Sequence, residues 1–289
     1  MDEIFQIENT NFNLKHTFES AQPLTFYGDY YEDKGLLEYT YKNSIIGIKS
    51  TENNKLNAYW ILKDNNEKLK LNDEVIRRFR LFEDLDYIYK KINTDSNIDI
   101  AIKKYNGMRL TINDPWETTL VFIISQFNNV KRIRGIVKNI INRYGEKIDE
   151  KHKSFPTLEN MSTVTKEDLK NCGTGFRAEY IINAVDYFIN NVDLNKLNPN
   201  NYEELHEIFT EIKGIGDKVA DCIILMGYGN LRAFPIDVWV KRQLERLYFK
   251  GEKQKVSKLQ DFAWEQWGDY RGYAQQYLFH SGRNLTFKN

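Results

Sequence analysis

Cysteine is nearly absent: Cys172 and Cys222 are the two in a chain of 289 residues. Two thiols build neither a disulfide framework nor a four-cysteine metal site. They fit the reduced interior of a cell. Histidine is also sparse. His16, His152, His206 and His280 show no H-x-x-x-H or H-E-x-x-H spacing, which argues against a zinc hydrolase. Long apolar runs are missing. The longest strong one, Leu120 to Ile124, falls far short of the roughly 18 residues a membrane helix needs. The start, Met1-Asp2-Glu3-Ile4-Phe5, is acidic and lacks the basic-then-apolar order of a signal sequence. Internal repeats and low-complexity tracts are absent. The expectation is a soluble, cytoplasmic protein. Net charge is missing as well, since 41 Lys and Arg balance 41 Asp and Glu. On its face this argues against a polyanion ligand, because phosphates call for a basic footprint.

Apolar residues, by contrast, are plentiful. At 41% hydrophobic and 14% aromatic, the chain can build a real core and is not disordered. Residues from about 10 to 70 read as strands. Leu24 to Tyr31 is aromatic-rich and breaks at a Gly-Asp turn. Leu36 to Lys42 alternates, with Leu37, Tyr39 and Tyr41 on one face. Ser44 to Ser50 and Ala58 to Leu62 complete an antiparallel sheet. The period then changes to that of helices. Val75, Phe79, Phe82 and Leu85 or Ile88 recur at helical spacing. Asp114-Pro115-Trp116-Glu117 is a helix start, with Asp as cap, Pro at the first position and Glu in the first turn. Further helices are predicted over Val130–Tyr144, Glu179–Asn190, Tyr202–Ile212, Lys218–Met226, Ile236–Tyr248, Ser257–Trp267 and Arg271–Arg283. The fold class is therefore α+β. An N-terminal antiparallel sheet domain with trailing helices occupies 1–110. A larger, mostly helical, two-lobed body occupies 111–289.

Charge divides along the same line. Residues 1–100 hold 13 basic and 18 acidic side chains, a balance of −5, and the remainder holds 28 against 23, or +5. Within it, 130–153 carries +5 and 232–255 carries +4. A neutral whole thus contains a basic helical half, read either as an anion-binding surface or as two solvated helix faces.

The chemistry concentrates in Leu205 to Cys222. One helix runs into Gly214-Ile215-Gly216, and a second starts at once, giving a helix-hairpin-helix over 204–228. Glycines leave backbone N–H groups uncovered and permit positive φ. The second helix aims its N-terminal N–H groups and positive dipole end at the same place, which suits a phosphate. Lys218 lies two residues past the second glycine, at the start of an otherwise apolar helix. Desolvation and the positive helix end both disfavour its ammonium form, which is how nucleophilic lysines are activated. Standing alone, it would read as a solvated first-turn lysine. Asp237, in Phe234-Pro235-Ile236-Asp237-Val238, follows 19 residues later. It reads first as a helix cap, and capping is compatible with catalysis.

These residues resemble a known family. Gly214-x-Gly216-x-Lys218-Val219-Ala220-Asp221 followed by Pro235-Ile236-Asp237-Val238 is similar to the helix-hairpin-helix–Gly-Pro-Asp superfamily of DNA glycosylases. The lysine and its surroundings resemble its 8-oxoguanine DNA glycosylase branch. Four further segments match that branch in order. They are Asp114-Pro115-x-Glu117 leading to Asn128-Asn129 and Arg132-Ile133-x-Gly135, then Gly175-Phe176-Arg177-Ala178-x-Tyr180, then Gly272-Tyr273-Ala274-Gln275-x-x-Leu278-Phe279, and, more weakly, Ser20-Ala21-Gln22.

The resemblance implies a bifunctional enzyme that excises 8-oxoguanine from double-stranded DNA and then nicks the strand. Lys218 would attack C1′ and form a Schiff base, and Asp237 would stabilise the sugar cation and help deprotonate the lysine. The carbonyl of Ala21, where the family has glycine, would accept from the lesion's N7–H. Gln275 would bond the base's Watson–Crick edge. Cys222 and Phe279 would sandwich it, with Met226 and Pro235 in the same pocket. Gly214 and Gly216 would meet phosphate. Arg132 would read the opposite cytosine, flanked by Arg177, and Asn128 would lie along the DNA. Three further positions depart from the family. Phe127 stands where a gap-filling asparagine is expected, Phe176 where a wedge tyrosine is, and Trp239 where a phosphate-contacting histidine is. No cofactor is implied, and a structural cation held by the hairpin carbonyls is the one addition the resemblance leaves room for. The expected partner is lesion DNA, met by a monomer without a membrane. Two alternatives stay open. One is a neighbouring glycosylase branch. Of these, the endonuclease III type needs an iron–sulfur loop that no cysteine after Cys222 can build, and the alkyladenine type lacks the lysine. The other is a non-catalytic DNA-binding module, which Lys218 with Asp237 disfavours.

Overall fold

A computed structural model describes residues 4–7, 11–50, 55–64 and 70–285. The expectations that fall on residues 1–3, 51–54 and 65–69 lie outside them. The chain opens with β1 (Ile4–Ile7), α1 (Leu14–Glu19), α2 (Pro23–Tyr27), β2 (Asp29–Tyr31), β3 (Leu36–Tyr41), β4 (Ser44–Ser50) and β5 (Leu56–Leu62). The strands form one antiparallel sheet in the order β1-β5-β4-β3-β2. β4 is central and buried from Ser44 through Ile48, whereas β3 alternates more, with Leu37 and Tyr39 buried and Tyr41 half-buried.

The first strand predicted from the sequence is in large part a helix. Leu24 to Tyr27 is helix, not strand. Pro23 sits at the first helical position, all five residues of α2 are buried, and the Gly28 N–H closes the turn on the Leu24 carbonyl at 2.9 Å. Before it, α1 starts where Asn13 Oδ1 accepts the His16 N–H at 2.9 Å. An aromatic-rich run buried on every side lacks the alternation that would identify a strand.

The helical body contains α3 (Leu71–Arg78), α4 (Leu85–Ile92), α5 (Ser96–Lys104), α6 (Pro115–Ser125), α7 (Val130–Tyr144), α8 (Leu158–Met161), α9 (Lys166–Asn171), α10 (Arg177–Asn190), α11 (Tyr202–Glu211), α12 (Asp217–Gly227), α13 (Val238–Tyr248), α14 (Val256–Trp267) and α15 (Arg271–Leu285). The periodic run from Val75 to Ile88 is two helices. The chain turns at Arg80, with φ +53, leaving Phe82 63% exposed, and Asp84 caps α4 by accepting the Tyr87 N–H. Asp114 caps α6 as expected, accepting from Trp116 N at 2.8 Å and Glu117 N at 3.1 Å.

α6 and α12 are buried almost all round and pack on each other at the centre of the body. Around them, α2 lies on α6 and α7, and α15 lies on α13, α5, α14 and α4, closing the body back toward the N-terminal unit. No helix among the described residues is long and apolar enough to cross a membrane.

Candidate active site

The hairpin between α11 and α12 is shaped by one neighbour. Gly214 has φ +107, and a Cβ there would stand 2.2 Å from the Tyr180 ring. Only glycine satisfies both constraints. Ile215 is buried and anchors the loop, while Gly216 faces open space. Gln126, at the end of α6, donates to the Gly214 carbonyl at 2.9 Å, and Asn183 donates to the Lys213 carbonyl at 3.2 Å. The Asp217 and Lys218 amides that open α12 have no hydrogen-bond partner among the described residues, and Gly216 caps the helix with no side chain over them.

Lys218 is in the first turn of α12 and half-buried. Its ammonium lies 5.5 Å from the centre of the Phe122 ring on α6. Asp237, which the chain brings in from the start of α13, is close enough for the two charges to attract. Asp237 caps its helix, accepting the Val240 N–H at 2.7 Å. Burial pushes its carboxyl pKa up, against the opposing pull of the Val240 N–H, Lys218 and the Trp239 N–H.

Lys218, Cys222 and Met226 follow at four-residue intervals and so form one stripe along α12. Cys222 and Met226 are buried. Burial pushes the Cys222 thiol up to about 11, even though Lys218 pulls it down, so it stays neutral near pH 7.

Pro235 is buried and its carbonyl accepts from Gln275 Nε2 at 3.1 Å. The other end of that side chain, Oε1, is buried without a hydrogen-bond partner among the described residues. An unpaired buried acceptor costs about 1–3 kcal/mol, so its place beside Pro235 calls for a donor from outside. Phe279 lies one turn further on α15 and is half-buried. Ala21 lies in the N-terminal unit, next to a residue bonded by α15. It is left-handed, with φ +59, and Gln276 of α15 bonds the Ser20 carbonyl next to it at 2.7 Å.

A second group projects at the α6–α7 junction. Phe127 is 92% exposed and left-handed, with φ +49. Its ring lies 6.4 Å from that of Phe176, which is 51% exposed. Arg177 stacks on Phe176 at 4.4 Å. Sequence reasoning offered Arg177 to the opposite base, but its guanidinium is buried. It donates to the carbonyls of Gln126 (2.7 Å from Nε), Phe127 (3.0 Å) and Thr174 (3.3 Å). Arg177 therefore braces the two phenylalanines. Arg132 is exposed, and its charge is near enough to lower the Arg177 pKa, second to burial. Asn128 folds back, donating to the Ile124 carbonyl at 3.1 Å. Trp239 is half-buried beside Asp237, with the Arg242 guanidinium 5.7 Å from its ring.

Phe122, Gln126 and Tyr180 shape this site, a role that was not anticipated. Tyr180 was noted only as part of a matching segment and Phe122 only within an apolar run, because their part in the site comes from tertiary contacts. A cleft of about 1090 Å³ among the described residues lies elsewhere. It is bounded by Asp114, Trp116, Glu117 and Gly227 at the opposite ends of α6 and α12, and contains neither Lys218 nor Asp237. No group of three or more His, Cys, Asp or Glu among the described residues could hold a metal ion.

An amine beside a carboxylate, at a helix start that offers free N–H groups and next to exposed aromatics, defines a class of protein acting on nucleic acid. The chain belongs to the HhH-GPD superfamily of base excision DNA repair proteins, whose family model matches residues 120–269. Within that superfamily it falls in the 8-oxoguanine DNA glycosylase branch, because residues 4–119 match that enzyme's N-terminal domain. A solved structure of MBOgg1 in complex with a low-affinity DNA ligand is 32% identical, with a TM-score of 0.88 over 99% of both chains. The Clostridium acetobutylicum 8-oxoguanine glycosylase/lyase, solved with double-stranded DNA containing cytosine opposite 8-oxoguanine, is 29% identical. Its TM-score is 0.88 over 99% of this chain and 98% of that one. The N-glycosylase/DNA lyase of Saccharomyces cerevisiae is 26% identical over 276 residues, covering 82% of this chain and 73% of the yeast protein.

Proposed function

We propose that this chain is a bifunctional 8-oxoguanine DNA glycosylase and abasic-site lyase, acting as a monomer on double-stranded DNA. The observation that carries the chemistry is the half-buried Lys218 ammonium at the hairpin's helix start, within electrostatic reach of the Asp237 carboxylate. Asp237 takes the lysine proton. The free amine attacks C1′, the glycosidic bond breaks, and 8-oxoguanine leaves with the bonding electrons. Asp237 stabilises positive charge at the sugar while this happens. The sugar ring opens to an imine. Loss of a proton from C2′ then expels the 3′ phosphate, and water releases the lysine. No cofactor enters these steps. The hairpin carbonyls of Lys213 and Gly214 each keep one lone pair for a cation beside the phosphate.

The reacting base must first leave the stack. Phe127 and Phe176 fill the space it vacates, and Arg132 reads the opposite base, with a preference for cytosine. The flipped base lies between Cys222 and Phe279, lined by Met226 and Pro235. Gln275 Oε1 accepts from its Watson–Crick edge. The Ala21 carbonyl accepts from N7–H of the lesion and finds only a lone pair on guanine. Phosphates meet the amides at Gly214 and Gly216, with Asn128 and Trp239 along the strands. In this reading the unit over 1–110 contributes Ala21, and 111–289 contributes the chemistry. The protein is placed in the cytoplasm, on DNA.

Borohydride trapping tests the proposal. Wild-type protein should form a covalent complex with an 8-oxoguanine duplex, fastest opposite cytosine, and Lys218→Gln should form none. Trapping of Lys218→Gln, or none with wild type, overturns it.

A further inference from the structure

The loop from Glu19 to Gln22 carries four carbonyls, and three of them are occupied. Glu19 accepts from Arg283 at 3.4 Å, Ser20 from Gln276 Nε2 at 2.7 Å and Gln22 from the Thr25 N–H at 2.9 Å. Ala21 is the exception, with no donor to its carbonyl among the described residues. The surrounding side chains are also committed. Gln22 is fully buried, with Nε2 on Ser20 Oγ (2.8 Å) and the Arg109 carbonyl (2.9 Å), and Oε1 on the Thr111 N–H (2.7 Å). One acceptor is thus held open within an otherwise saturated loop.

That acceptor is strained. Ala21 sits at φ +59, a region disfavoured for a residue bearing Cβ. Left to itself, an alanine would rotate out of it and take the carbonyl along. The Ser20 carbonyl lies on the adjoining peptide, and the bond from Gln276 resists that rotation. Gln276 is 1% exposed, so its bond is not shared with solvent. It also follows Gln275 directly. Successive helical residues point about 100° apart, so α15 turns one glutamine to Pro235 and the next to the loop. The spacing between the open carbonyl and the open Gln275 Oε1 is therefore set by a single helix.

We infer that Gln276 is a positioning residue for lesion recognition: it holds the Ala21 carbonyl in register with Gln275 and so sets discrimination between 8-oxoguanine and guanine. The inference rests on the proposed reading of the base pocket. It also predicts a dependence on residue 21. A glycine there adopts the left-handed region without strain and has less need of the brace.

Single-turnover rates on two duplexes test it, one bearing 8-oxoguanine and one a preformed abasic site. Gln276→Ala should lower 8-oxoguanine excision roughly 10- to 100-fold, as expected for misplacement by about 1 Å. Abasic-strand cleavage, which bypasses base recognition, should change less than about threefold. Adding Ala21→Gly to Gln276→Ala should recover most of the lost excision. The inference is overturned if Gln276→Ala excises at the wild-type rate, if both activities fall together, or if Ala21→Gly restores nothing. Wild-type protein that cleaves abasic DNA but never excises 8-oxoguanine overturns the substrate reading as well. A variant with unchanged excision in an active wild-type background overturns this inference alone.

Discussion

At Ala21, a methyl group works against the backbone that carries it. The left-handed conformation costs an alanine about 1–2 kcal/mol, while a glycine's extra freedom in the unfolded chain gives back about 0.4–1 kcal/mol. Ala21→Gly should therefore stabilise the protein by about 0.5–1 kcal/mol, read as a higher urea midpoint. An unchanged midpoint would mean that the surrounding loop already absorbs the strain. The hairpin glycines behave differently from each other. At Gly214 a Cβ would meet the Tyr180 ring at 2.2 Å on a backbone with φ +107, so Gly214→Ala should cost about 3 kcal/mol or more. At Gly216 nothing lies within 4 Å of a Cβ, and φ is −102. Gly216→Ala should change stability by less than about 1 kcal/mol yet weaken DNA binding about tenfold, because its methyl group would stand where a phosphate approaches. Urea unfolding and DNA titration separate the two, and equal destabilisation by both would contradict this account. The glycine pair was legible in the sequence, since helix, turn and helix are local. Tyr180, the reason for the first glycine, was not.

Among elements, those whose partners are local were readable and those defined by distant packing were not. α7 was predicted at its observed ends because its apolar face, the Asn129 cap and Gly145 all lie within one segment. α2 was misread, and α1, β1, α5, α8 and α9 were not foreseen, because short elements owe their form to the neighbours they bury against. One such burial joins α2, α3 and α6. Arg78 is fully buried and contacts Glu74. It also donates to the Tyr27 hydroxyl at 2.7 Å, and that hydroxyl donates to Glu117 at 2.9 Å. Glu74 also binds Arg77 at 2.7 Å, whereas Glu117 has no ion pair of its own among the described residues, and burial pushes it from its ordinary 4.5 to about 7. The folded state thus holds this proton more tightly than the unfolded one. The resulting penalty is absent below about pH 4.5, grows as pH rises to about 7 and is complete above it, where it reaches about 3 kcal/mol. Glutamine cannot ionise, so Glu117→Gln should gain stability relative to wild type as pH rises from 5 to 8. A stability difference that stays constant over that range would show that Glu117 is not the titrating group.

For the whole molecule, the neutral total and the −5/+5 division set an electrostatic limit. Within that limit, part of the basic run on α7 is spent at home. Arg134 and Lys138 both reach Asp29 of β2, at 2.5 Å and 2.8 Å, and fasten the helical body to the sheet. Lys131 is exposed at the α7 start, where the wedge phenylalanines also project. The number of phosphates neutralised by side chains should thus be near the surplus of the helical half, about five. Since the logarithm of the binding constant falls with that of salt concentration by about 0.9 per phosphate, the slope should be about −4 to −5. Lys131→Ala should make it shallower by about 0.9. Arg134→Gln should leave the slope unchanged and lower stability by at most about 1 kcal/mol, because its charge is already paired. Titrations of undamaged duplex between 50 and 200 mM salt decide the matter. A slope shifted equally by both variants would mean that Asp29 releases Arg134 when DNA arrives, and that the sheet and the helical body share the duplex between them.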